Sequence, residues 1–445
     1  MKRIRYALVG TGSRSFMYTD AVFGTHSDVA EMVAFCDTNQ TRMDYANEHI
    51  GSQFKAKSIA TYKAQDFDRM IAEQKPEKII VTSMDRTHHK YICRAMELGC
   101  DVITEKPLTT DEEKLQQIID TVRRTGRDLR VTFNYRYAPR NSKVKEILDS
   151  GEIGKVLSVH FEWLLDTQHG ADYFRRWHRD KANNGGLLVH KSTHHFDLMN
   201  WWLDSQPDTV FAFGRLAFYG RQNAEERGIT DFYERAHGSE TAKRDPFALH
   251  LEDDARLARM YLDAEHEDGY HRDQSVFGYN ISTEDTISLL VRYRSKATMS
   301  YSLTAYSPWE GYRVMFNGTR GRLEANIVER SYVSGRADDV NRTENREAID
   351  ASVSGGDTSA EWAVPQIIVQ RQWEKAREVP VDEEVGGHGG GDARLLRDIF
   401  VGGGGDPLHR AAGYIDGAWS ILTGISANRS IATGTPVKAG DLVRF

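Results

Sequence analysis

The sequence predicts an α/β fold in two parts, a doubly wound parallel sheet followed by an α/β domain with a large open, mainly antiparallel sheet. Three observations support this. The first apolar run opens directly into a glycine-rich turn. Strand-like runs then alternate with helical patterns up to about residue 134, which is typical of parallel βαβ units. Beyond that point, strand-like runs follow one another without regular helices between them, which favours antiparallel pairing.

The first apolar run, residues 5–10, ends in the glycine-rich turn. The turn residues are Gly10, Thr11, Gly12, Ser13, Arg14 and Ser15. In a dinucleotide fingerprint the first glycine allows a tight turn, the second lets a phosphate approach the backbone, and the third permits close helix packing. Ser15 replaces the third glycine and is small enough for that packing. We therefore predict a Rossmann domain over residues 1–134, with these six residues at the cofactor.

An acidic residue follows the second apolar run. That run, residues 32–36, leads into Asp37. A carboxylate at this strand end suits the ribose hydroxyls of NAD and repels the 2′-phosphate of NADP, so the sequence favours NAD. Arg42 is near in sequence and could soften that preference. Asp37 could also act as the N-cap of the helix that follows.

Two further strands end in polar residues. Residues 78–83 and 101–104 have strand patterns, and a doubly wound sheet binds ligands at the carboxyl ends of its strands. The expected cofactor contacts in this region are Thr82, Ser83, His88, Glu105 and Lys106.

Lys106 is the centre of the predicted site. It lies between Glu105 and Pro107, and a proline disfavours the helical conformation for the residue before it. The lysine is therefore presented at the end of a strand. By itself the stretch is equally compatible with a surface lysine on an edge strand. The fingerprint upstream and a histidine-rich segment downstream favour a functional lysine.

The histidine-rich segment offers candidates for proton transfer. If it is helical from about His190, then His190 and His194 lie one turn apart, with Asp197 placed to orient His194. Such a pair can bind zinc, although Lys191 stands where a zinc protease has its glutamate, and we predict no metal. The histidines could instead be buried structural groups. His195 points away from its neighbours and is expected to be structural.

Other residues are candidates for a substrate pocket. Aromatic and charged side chains can stack on a sugar ring and hydrogen-bond to it. The candidates are Tyr135, Arg136, Arg176, Trp177, His178, Lys191, Asp197 and His388. Tyr135 and Arg136 lie at the crossover between the two parts. His388 belongs to a glycine cluster that either approaches a ligand or forms an ordinary loop.

The second part is predicted to span residues 135–445. Residues 220–282 are charged and rich in His and Tyr, and we interpret them as a long insertion that caps a site or contacts another subunit. Residues 335–360 are polar and predict a surface excursion. The strand-like segments are residues 156–164, 209–217, 285–294, 297–304 and 312–316.

The composition limits the partners. A net charge of −7 without a Lys/Arg block argues against binding to nucleic acid or to an anionic membrane surface. No apolar stretch approaches the length of a transmembrane helix, and the N-terminus lacks a signal-peptide pattern. Cys36, Cys93 and Cys100 fit reduced core thiols better than a disulfide framework. We expect a cytoplasmic protein.

In their order along the chain, these motifs resemble those of the glucose–fructose oxidoreductase/inositol dehydrogenase/MocA family. The resemblance rests on the fingerprint, Asp37, the Glu105-Lys106-Pro107 triplet, the Tyr135-Arg136 crossover and the Gly-Gly…His-x-x-Asp segment. It implies a Rossmann domain, a C-terminal α/β domain and frequent dimers or tetramers. It also implies oxidation or reduction of a sugar or polyol carbon with a nicotinamide cofactor.

The resemblance also assigns residues. Lys106 matches the active-site lysine of the family's Glu-Lys-Pro motif, and His194 matches the histidine of its Asp-x-x-x-His pair. The aspartate of that pair is His190 in this chain, and an imidazole does not accept hydrogen bonds as a carboxylate does. With Lys191 beside it, the site is more cationic and could suit an acidic sugar.

We predict an NAD-dependent oxidoreductase acting on a small carbohydrate, and we expect it to be a homo-oligomer. A substrate hydroxyl would lie between Lys106 and His194, one of which takes its proton. An alternative is a glycoside-cleaving enzyme that oxidises a ring hydroxyl transiently and then returns the hydride. A nucleotide-sensing regulator without turnover is disfavoured because both Lys106 and His194 are present.

Overall fold

The protein is described from a computed structural model. The structure describes residues 2–333, 366–381, 390–402 and 404–445. The polar excursion predicted at residues 335–360 and the predicted substrate contact His388 lie outside these ranges.

Six parallel strands form most of the first sheet, and they confirm the predicted Rossmann fold. The strands are β1 (Ile4–Val9), β2 (Ala30–Asp37), β3 (Ala60–Lys63), β4 (Lys78–Val81), β5 (Asp101–Thr104) and β6 (Leu129–Val131). Their order is β3-β2-β1-β4-β5-β6. The order reverses beside β1, and such a switch point opens a crevice at the strand ends where ligands bind.

Five helices accompany these strands. They are α1 (Ser15–Phe23), α2 (Gln40–Phe54), α3 (Phe67–Gln74), α4 (His88–Glu97) and α5 (Glu112–Thr125). Helix α5 illustrates why they form, since Leu115, Ile118 and Ile119 recur on one face and are buried. The Asp111 side chain caps its first turn by accepting from the Lys114 N–H, and Gly126 ends it in the left-handed conformation.

The second sheet is open and mainly antiparallel, as predicted. Its strands are β7 (Val156–Asp166), β8 (Pro207–Arg215), β9 (Thr286–Tyr293), β10 (Thr298–Ser307), β11 (Glu310–Gly318), β12 (Gly321–Arg330), β13 (Gln366–Arg371), β14 (Arg377–Glu378) and the later β16 (Val437–Lys438). The order is β14-β13-β12-β11-β7-β10-β9-β8-β16, and the β7–β10 pair is parallel. Burial alternates along β9, so helices cover one face of this sheet.

The helices of the second part are mostly short. They are α6 (Pro139–Asp149), α7 (His169–Arg175), α8 (Lys181–Asn184), α9 (Leu187–His190), α10 (Ser192–Leu203), α11 (Arg221–Glu226), α12 (Ala255–Leu257), α13 (Glu265–Asp268), α14 (Gly391–Phe400) and α15 (Tyr414–Thr433). The helix considered from about His190 is interrupted, since α9 ends at His190 and α10 begins two residues later. The backbone makes a tight turn at Lys191, whose carbonyl accepts a hydrogen bond from the N–H of His194, three residues later. Helix α10 starts at Ser192.

The end of the chain returns to the first sheet. Strand β15 (Ala412–Gly413) pairs antiparallel with β6, and the buried residues Leu395, Ile399 and Phe400 of α14 join the core beneath β1. The domain boundary near residue 134 therefore stays a prediction, since this later segment also stabilises the Rossmann sheet.

The long insertion at residues 220–282 connects β8 and β9, which are adjacent in the second sheet. The insertion does not pack only against that sheet but also contacts the Rossmann domain. Its residues Leu249, Leu251, Leu257, Met260 and Tyr261 form a small buried cluster with Phe16 of α1. The insertion therefore lies against the nucleotide-binding end of the Rossmann domain.

In none of the described ranges does a helix have the length and apolarity needed to cross a membrane. The three cysteines are free thiols, with Cys36 and Cys100 buried and Cys93 partly buried.

Candidate active site

A cleft of about 490 Å³ lies between the carboxyl ends of the Rossmann strands and the helices of the second part. It brings together sixteen of the residues that the sequence predicts, which are Gly10, Gly12, Ser13, Arg14, Asp37, Thr82, Ser83, His88, Glu105, Lys106, Arg176, Trp177, His178, His190, Lys191 and His194. Cofactor and substrate candidates therefore share one cleft, as hydride transfer between two bound molecules requires.

The glycine-rich turn has the geometry of a phosphate cradle. A side chain on Gly10 would come within 2.5 Å of the Ser83 backbone, so only glycine fits this crossing. A side chain on Gly12 would meet only the Tyr261 hydroxyl, at 3.8 Å, so the backbone there is open. Ser15 donates to the Gly12 carbonyl at 2.7 Å and supports the turn from behind. Thr11 is likewise buried and does not line the cleft.

Asp37 is fixed at the end of β2. One carboxylate oxygen accepts from the backbone N–H of Thr11 at 2.5 Å, and the other accepts from that of Asn39 at 3.0 Å. The N-cap of α2 is Asn39, which accepts from the Arg42 N–H, so the alternative capping role for Asp37 is wrong. The Arg42 guanidinium is held by Asp268 at 2.6 Å, and this pairing limits its attraction for a 2′-phosphate.

The remaining predicted cofactor contacts hold the strand-end loops together. Glu105 accepts from Arg14 Nε and from the Tyr18 hydroxyl, each at 2.7 Å. The Thr82 hydroxyl donates to the Gly10 carbonyl at 2.6 Å. His88 places one ring nitrogen 2.8 Å from the Pro107 carbonyl and the other 2.9 Å from the Ser83 carbonyl. These contacts fix the walls around Lys106.

Lys106 lies two residues beyond the end of β5 and is partly buried in the cleft wall. Burial lowers the pKa of its amine to about 8, with Lys191 and Arg14 acting in the same direction against Asp85 and Glu105. A lysine with this pKa can both accept and donate a proton near neutral pH.

An aspartate that the sequence analysis missed contacts His190. Asp85 Oδ2 lies 2.5 Å from His190 Nδ1, and both side chains are buried. Burial raises the pKa of Asp85 well above its usual range, although Lys106 and Arg176 oppose this. Burial also lowers the pKa of His190 well below its usual value, and Lys106 and Arg176 reinforce that effect. A carboxylate from the Rossmann domain thus lies against the imidazole that stands at the position of the family's aspartate.

Asp85 could have been found from the sequence. It lies two residues beyond Ser83, at the same strand end that supplied other predicted contacts. The strand-end rule alone therefore pointed to it, but its pairing with His190 depends on how the two domains meet.

The predicted pocket residues Arg176, Trp177 and His178 lie together. The indole of Trp177 stacks on the His178 ring, with centroids 3.6 Å apart, and His178 lies 4.2 Å edge-on from His190. Arg176 forms an ion pair with the buried Asp172 at 3.0 Å. Burial lowers the pKa of His178 well below its usual value, so it is neutral at physiological pH.

His194 also lines the cleft, with its ring 4.8 Å edge-on from that of Tyr135. Tyr135 lies behind the cleft wall rather than in it, and the Lys191 amine sits 5.8 Å over its ring and 5.6 Å over that of Trp163. Tyr135 therefore supports the site from behind.

Two further predicted substrate contacts, Arg136 and Asp197, lie outside the cleft. Arg136 donates to both oxygens of Asp197, at 2.8 and 2.5 Å, and all of these atoms are buried. A buried guanidinium needs a counter-charge, and the Asp197 carboxylate supplies it for Arg136. The two residues therefore form a structural ion pair in the core. His195 is structural, as predicted, since it stacks on Trp163 at 3.8 Å and contacts the Tyr301 hydroxyl at 2.7 Å.

The insertion contributes residues to the cleft that the sequence did not indicate. They are Tyr261, Asp268, Tyr270 and Arg272. They reach the cleft because a long, irregular segment folds back onto α1 and α2. The sequence of that segment has no periodic pattern from which this position could be predicted. Among the described residues, no three His, Cys, Asp or Glu side chains cluster as a metal ion would require.

The residues of the cleft fit a nicotinamide dinucleotide. The open backbone at Gly12, the N-terminus of α1 and the carboxylate of Asp37 are the donor and acceptor set for a pyrophosphate and a ribose. A Rossmann domain whose phosphate-binding turn shares a cleft with Lys106, His190 and His194 defines a nicotinamide-dependent oxidoreductase.

Comparison with known families agrees with this class. Residues 4–133 match the family model described as "Oxidoreductase family, NAD-binding Rossmann fold", and residues 145–439 match "Oxidoreductase family, C-terminal alpha/beta domain". The chain belongs to the Gfo/Idh/MocA oxidoreductase family, which confirms the resemblance seen in its motifs.

The chain is 33% identical over 468 aligned residues to the protein named "Putative oxidoreductase YteT" of Bacillus subtilis (strain 168), covering all of this chain and 99% of that protein. It is 23% identical to an inositol 2-dehydrogenase/D-chiro-inositol 3-dehydrogenase of Lactiplantibacillus plantarum, over 50% of this chain and 58% of that one. An Agrobacterium radiobacter oxidoreductase, solved with NAD⁺, L-tartaric acid and magnesium, has a similar fold, with a TM-score of 0.62, 14% identity and coverage of 99% and 100% of the two chains.

Proposed function

We propose that the protein transfers hydride between NAD and a hydroxyl-bearing carbon of a sugar, polyol or sugar derivative. The observation that carries this proposal is the meeting of Lys106 and the Asp85–His190 pair in the cleft that also contains the phosphate-binding turn. Groups for proton transfer and a nucleotide-binding site in one cleft are what oxidation of an alcohol needs.

Lys106 is the proposed base for oxidation. Its amine, with a pKa of about 8, takes the hydroxyl proton onto Nζ as the carbon loses its hydride. NAD, when bound, supplies the hydride acceptor. In the reductive direction the protonated amine returns the proton to the carbonyl oxygen. His194, on another wall of the cleft, holds the same oxygen by a hydrogen bond.

The Asp85–His190 pair is the proposed proton relay. When Asp85 is ionised, His190 Nδ1 donates to it and Nε2 can accept a proton from the cleft. Uptake at Nε2 lets the Nδ1 proton pass to Asp85, whose raised pKa suits it to hold that proton. The relay avoids a stable imidazolium, which Lys106 and Arg176 disfavour. This gives the imidazole at position 190 a function distinct from that of a lone carboxylate.

The pocket wall supports a carbohydrate substrate. Trp177 stacked on His178 offers a flat aromatic surface, and Arg176 lies next to it as a hydrogen-bond donor. The cationic side chains of Arg176 and Lys191 line the cleft and can bind a carboxylate on the substrate. For that reason we include sugar acids in the proposed class.

Asp37 is the proposed basis of a preference for NAD over NADP. Replacing it by serine in Asp37→Ser removes the charge that repels a 2′-phosphate, so we expect the ratio of kcat/KM for NAD to that for NADP to fall by about tenfold or more, which corresponds to about 1.4 kcal/mol. Steady-state kinetics with both cofactors measures the ratio. Asp120→Ser, on the outer side of α5, is the control. A wild-type enzyme that prefers NADP would contradict the assignment.

We also propose that the chain forms a homo-oligomer through the uncovered face of the second sheet. Phe213 and Leu290 lie on that face and are 69% and 59% exposed, an apolar surface of the kind that marks interfaces. We expect the double variant Phe213→Glu and Leu290→Glu to lower the mass measured by light scattering to that of one protomer. Leu157→Glu, exposed on the opposite side of the sheet, should leave the mass unchanged.

A screen of sugars, sugar acids, polyols and glycosides with NAD and NADP tests the proposed activity. Absorbance of the reduced nicotinamide and release of a cleaved product are followed together. Stoichiometric NADH supports the oxidoreductase, whereas released aglycone without net NADH supports the glycoside-cleaving alternative. Absence of both signals across the whole panel would remove the proposed substrate class.

A further inference from the structure

The insertion at residues 220–282 contacts the nucleotide-binding end of the Rossmann domain through two neighbouring elements. One is a π-helical turn, Ala258–Leu262, and the other is α13. The apolar cluster that includes Leu257, Met260 and Phe16 anchors the turn against α1. The insertion departs from the second sheet and returns to it, so this contact spans the two domains beside the cleft.

Polar contacts fasten α13 to the start of α2. The Glu267 carboxylate accepts from the backbone N–H groups of Gln40 and Thr41, each at 2.7 Å, and from Lys63 Nζ at 2.7 Å. These two N–H groups belong to the first turn of α2 and have no partner within the helix. Burial raises the pKa of Glu267, but the hydrogen bonds from Lys63, Gln40 and Thr41 outweigh it and lower the pKa to about 2. Glu267 is therefore charged throughout the physiological range.

The adjacent Asp268 also hydrogen-bonds to the start of α2. It accepts from Arg42 Nη1 at 2.6 Å and from Asn39 Nδ2 at 3.2 Å. Arg42 Nε also donates to the Met260 carbonyl at 3.0 Å. The N-cap residue of α2 and its first-turn arginine are thus both bound to the insertion, immediately after Asp37.

Tyr261 reaches from the π-helical turn to the phosphate-binding turn. Its hydroxyl accepts from the Ser13 N–H at 3.1 Å and lies 2.7 Å from the Ser13 hydroxyl. The Arg272 guanidinium lies 4.6 Å over the Tyr261 ring, and both side chains line the cleft. A tyrosine hydroxyl and a guanidinium are donors to phosphate oxygens. Both side chains line the cleft that contains this turn, and the Tyr261 hydroxyl, which holds the Ser13 N–H, also lies next to the open backbone of Gly12.

We propose that this segment is a cofactor clamp. Glu267 and Asp268 latch it to α2, and Tyr261 and Arg272 close over the phosphate-binding turn, so that NAD leaves only when the latch opens. The consequence is that NAD and NADH stay bound through successive turnovers instead of exchanging after each one. This inference rests on binding of NAD and not on the identity of the carbohydrate.

The test measures release of NADH from the full-length protein. NADH is loaded, excess NAD is added to block rebinding, and the loss of bound-NADH fluorescence gives the dissociation rate constant. We expect slow release from the wild type and retention of NAD on gel filtration. Glu267→Gln weakens the latch and Tyr261→Phe removes the hydroxyl at Ser13, and each should raise the rate constant by about tenfold or more, the factor that corresponds to about 1.4 kcal/mol.

Glu48→Gln is the matched control. Glu48 pairs with Arg259 at 3.1 Å on the exposed edge of the same contact, outside the cleft, and its loss should leave the rate constant unchanged. Fast release from the wild type, or release from both clamp variants at the wild-type rate, overturns the clamp. A chain that binds no NADH also overturns it. A chain that retains NAD but reduces none with any carbohydrate supports the clamp and contradicts only the proposed substrate class.

Discussion

Lys106→Ala is expected to reduce kcat by about 10²–10⁴-fold, the range that a positioned acid–base group contributes. The physical reason is the loss of an amine whose pKa, at about 8, lets it exchange a proton near neutral pH. In the wild type, the rate of oxidation should rise with pH until the amine is deprotonated near pH 8 and then level off, because the base form is the active one. Steady-state rates across this pH range measure both effects.

Lys114→Ala is the control for this prediction. Lys114 pairs with Asp111 at 2.6 Å at the start of α5 and does not line the cleft. Binding of NAD, followed by fluorescence, should survive in Lys106→Ala. A variant that binds NAD and turns over at the wild-type rate would refute the assignment of Lys106.

Asp85→Asn is expected to lower kcat by about 10²-fold or more. An amide cannot take the Nδ1 proton of His190, so a proton taken up at Nε2 while Nδ1 keeps its own makes an imidazolium, which Lys106 and Arg176 disfavour. The variant also removes a carboxylate that raises the pKa of Lys106, so the rise of the rate with pH should move below pH 8. A purely structural role for Asp85 would not move that profile.

Asp68→Asn is a suitable comparison, because Asp68 forms an exposed ion pair with Arg94 at 2.6 Å in the same domain. Its kcat and pH profile should match those of the wild type. If Asp85→Asn retained the wild-type pH profile at full activity, the relay would be wrong and the Asp85–His190 contact would be only a buried interdomain hydrogen bond.

The Rossmann half of the site was predictable because its signals are local. Gly10 needs a conformation and a close approach that only glycine allows, and Asp37 and Lys106 follow apolar runs at strand ends. Parallel strands bring such ends to one edge of the sheet, so proximity follows from the pattern itself. The sequence could not indicate that Asn39, rather than Asp37, caps α2, since both precede the helix.

The second half of the site depends on contacts between distant segments. Asp197 lies three residues from His194, yet its carboxylate pairs with Arg136, 61 positions away, because the buried guanidinium requires a counter-charge. Asp85 meets His190 across 105 positions of sequence. Neither pairing leaves a local signal. The break at Lys191 was also hidden, because no proline or glycine marks it.

The insertion carried the weakest signal. Its charged composition suggested a cap or a subunit contact, and both uses have similar sequences. What decides its position is a set of specific contacts, such as Glu267 with the first turn of α2 and Tyr261 with Ser13. If the clamp retains NAD between turnovers, the protein meets a requirement of the glycoside-cleaving alternative as well, so retention alone does not separate the two activities.

The most direct test of the proposed function is a rapid-mixing measurement on the NAD-loaded wild type and on Lys106→Ala. Each is mixed with a panel of sugars, polyols and sugar acids, and the absorbance of reduced nicotinamide is followed within the first turnover. The proposed mechanism predicts rapid reduction of bound NAD by at least one carbohydrate in the wild type, and reduction slowed by about 10²-fold or more in the variant. Equal rates in the two proteins, or no reduction by any carbohydrate, would contradict it.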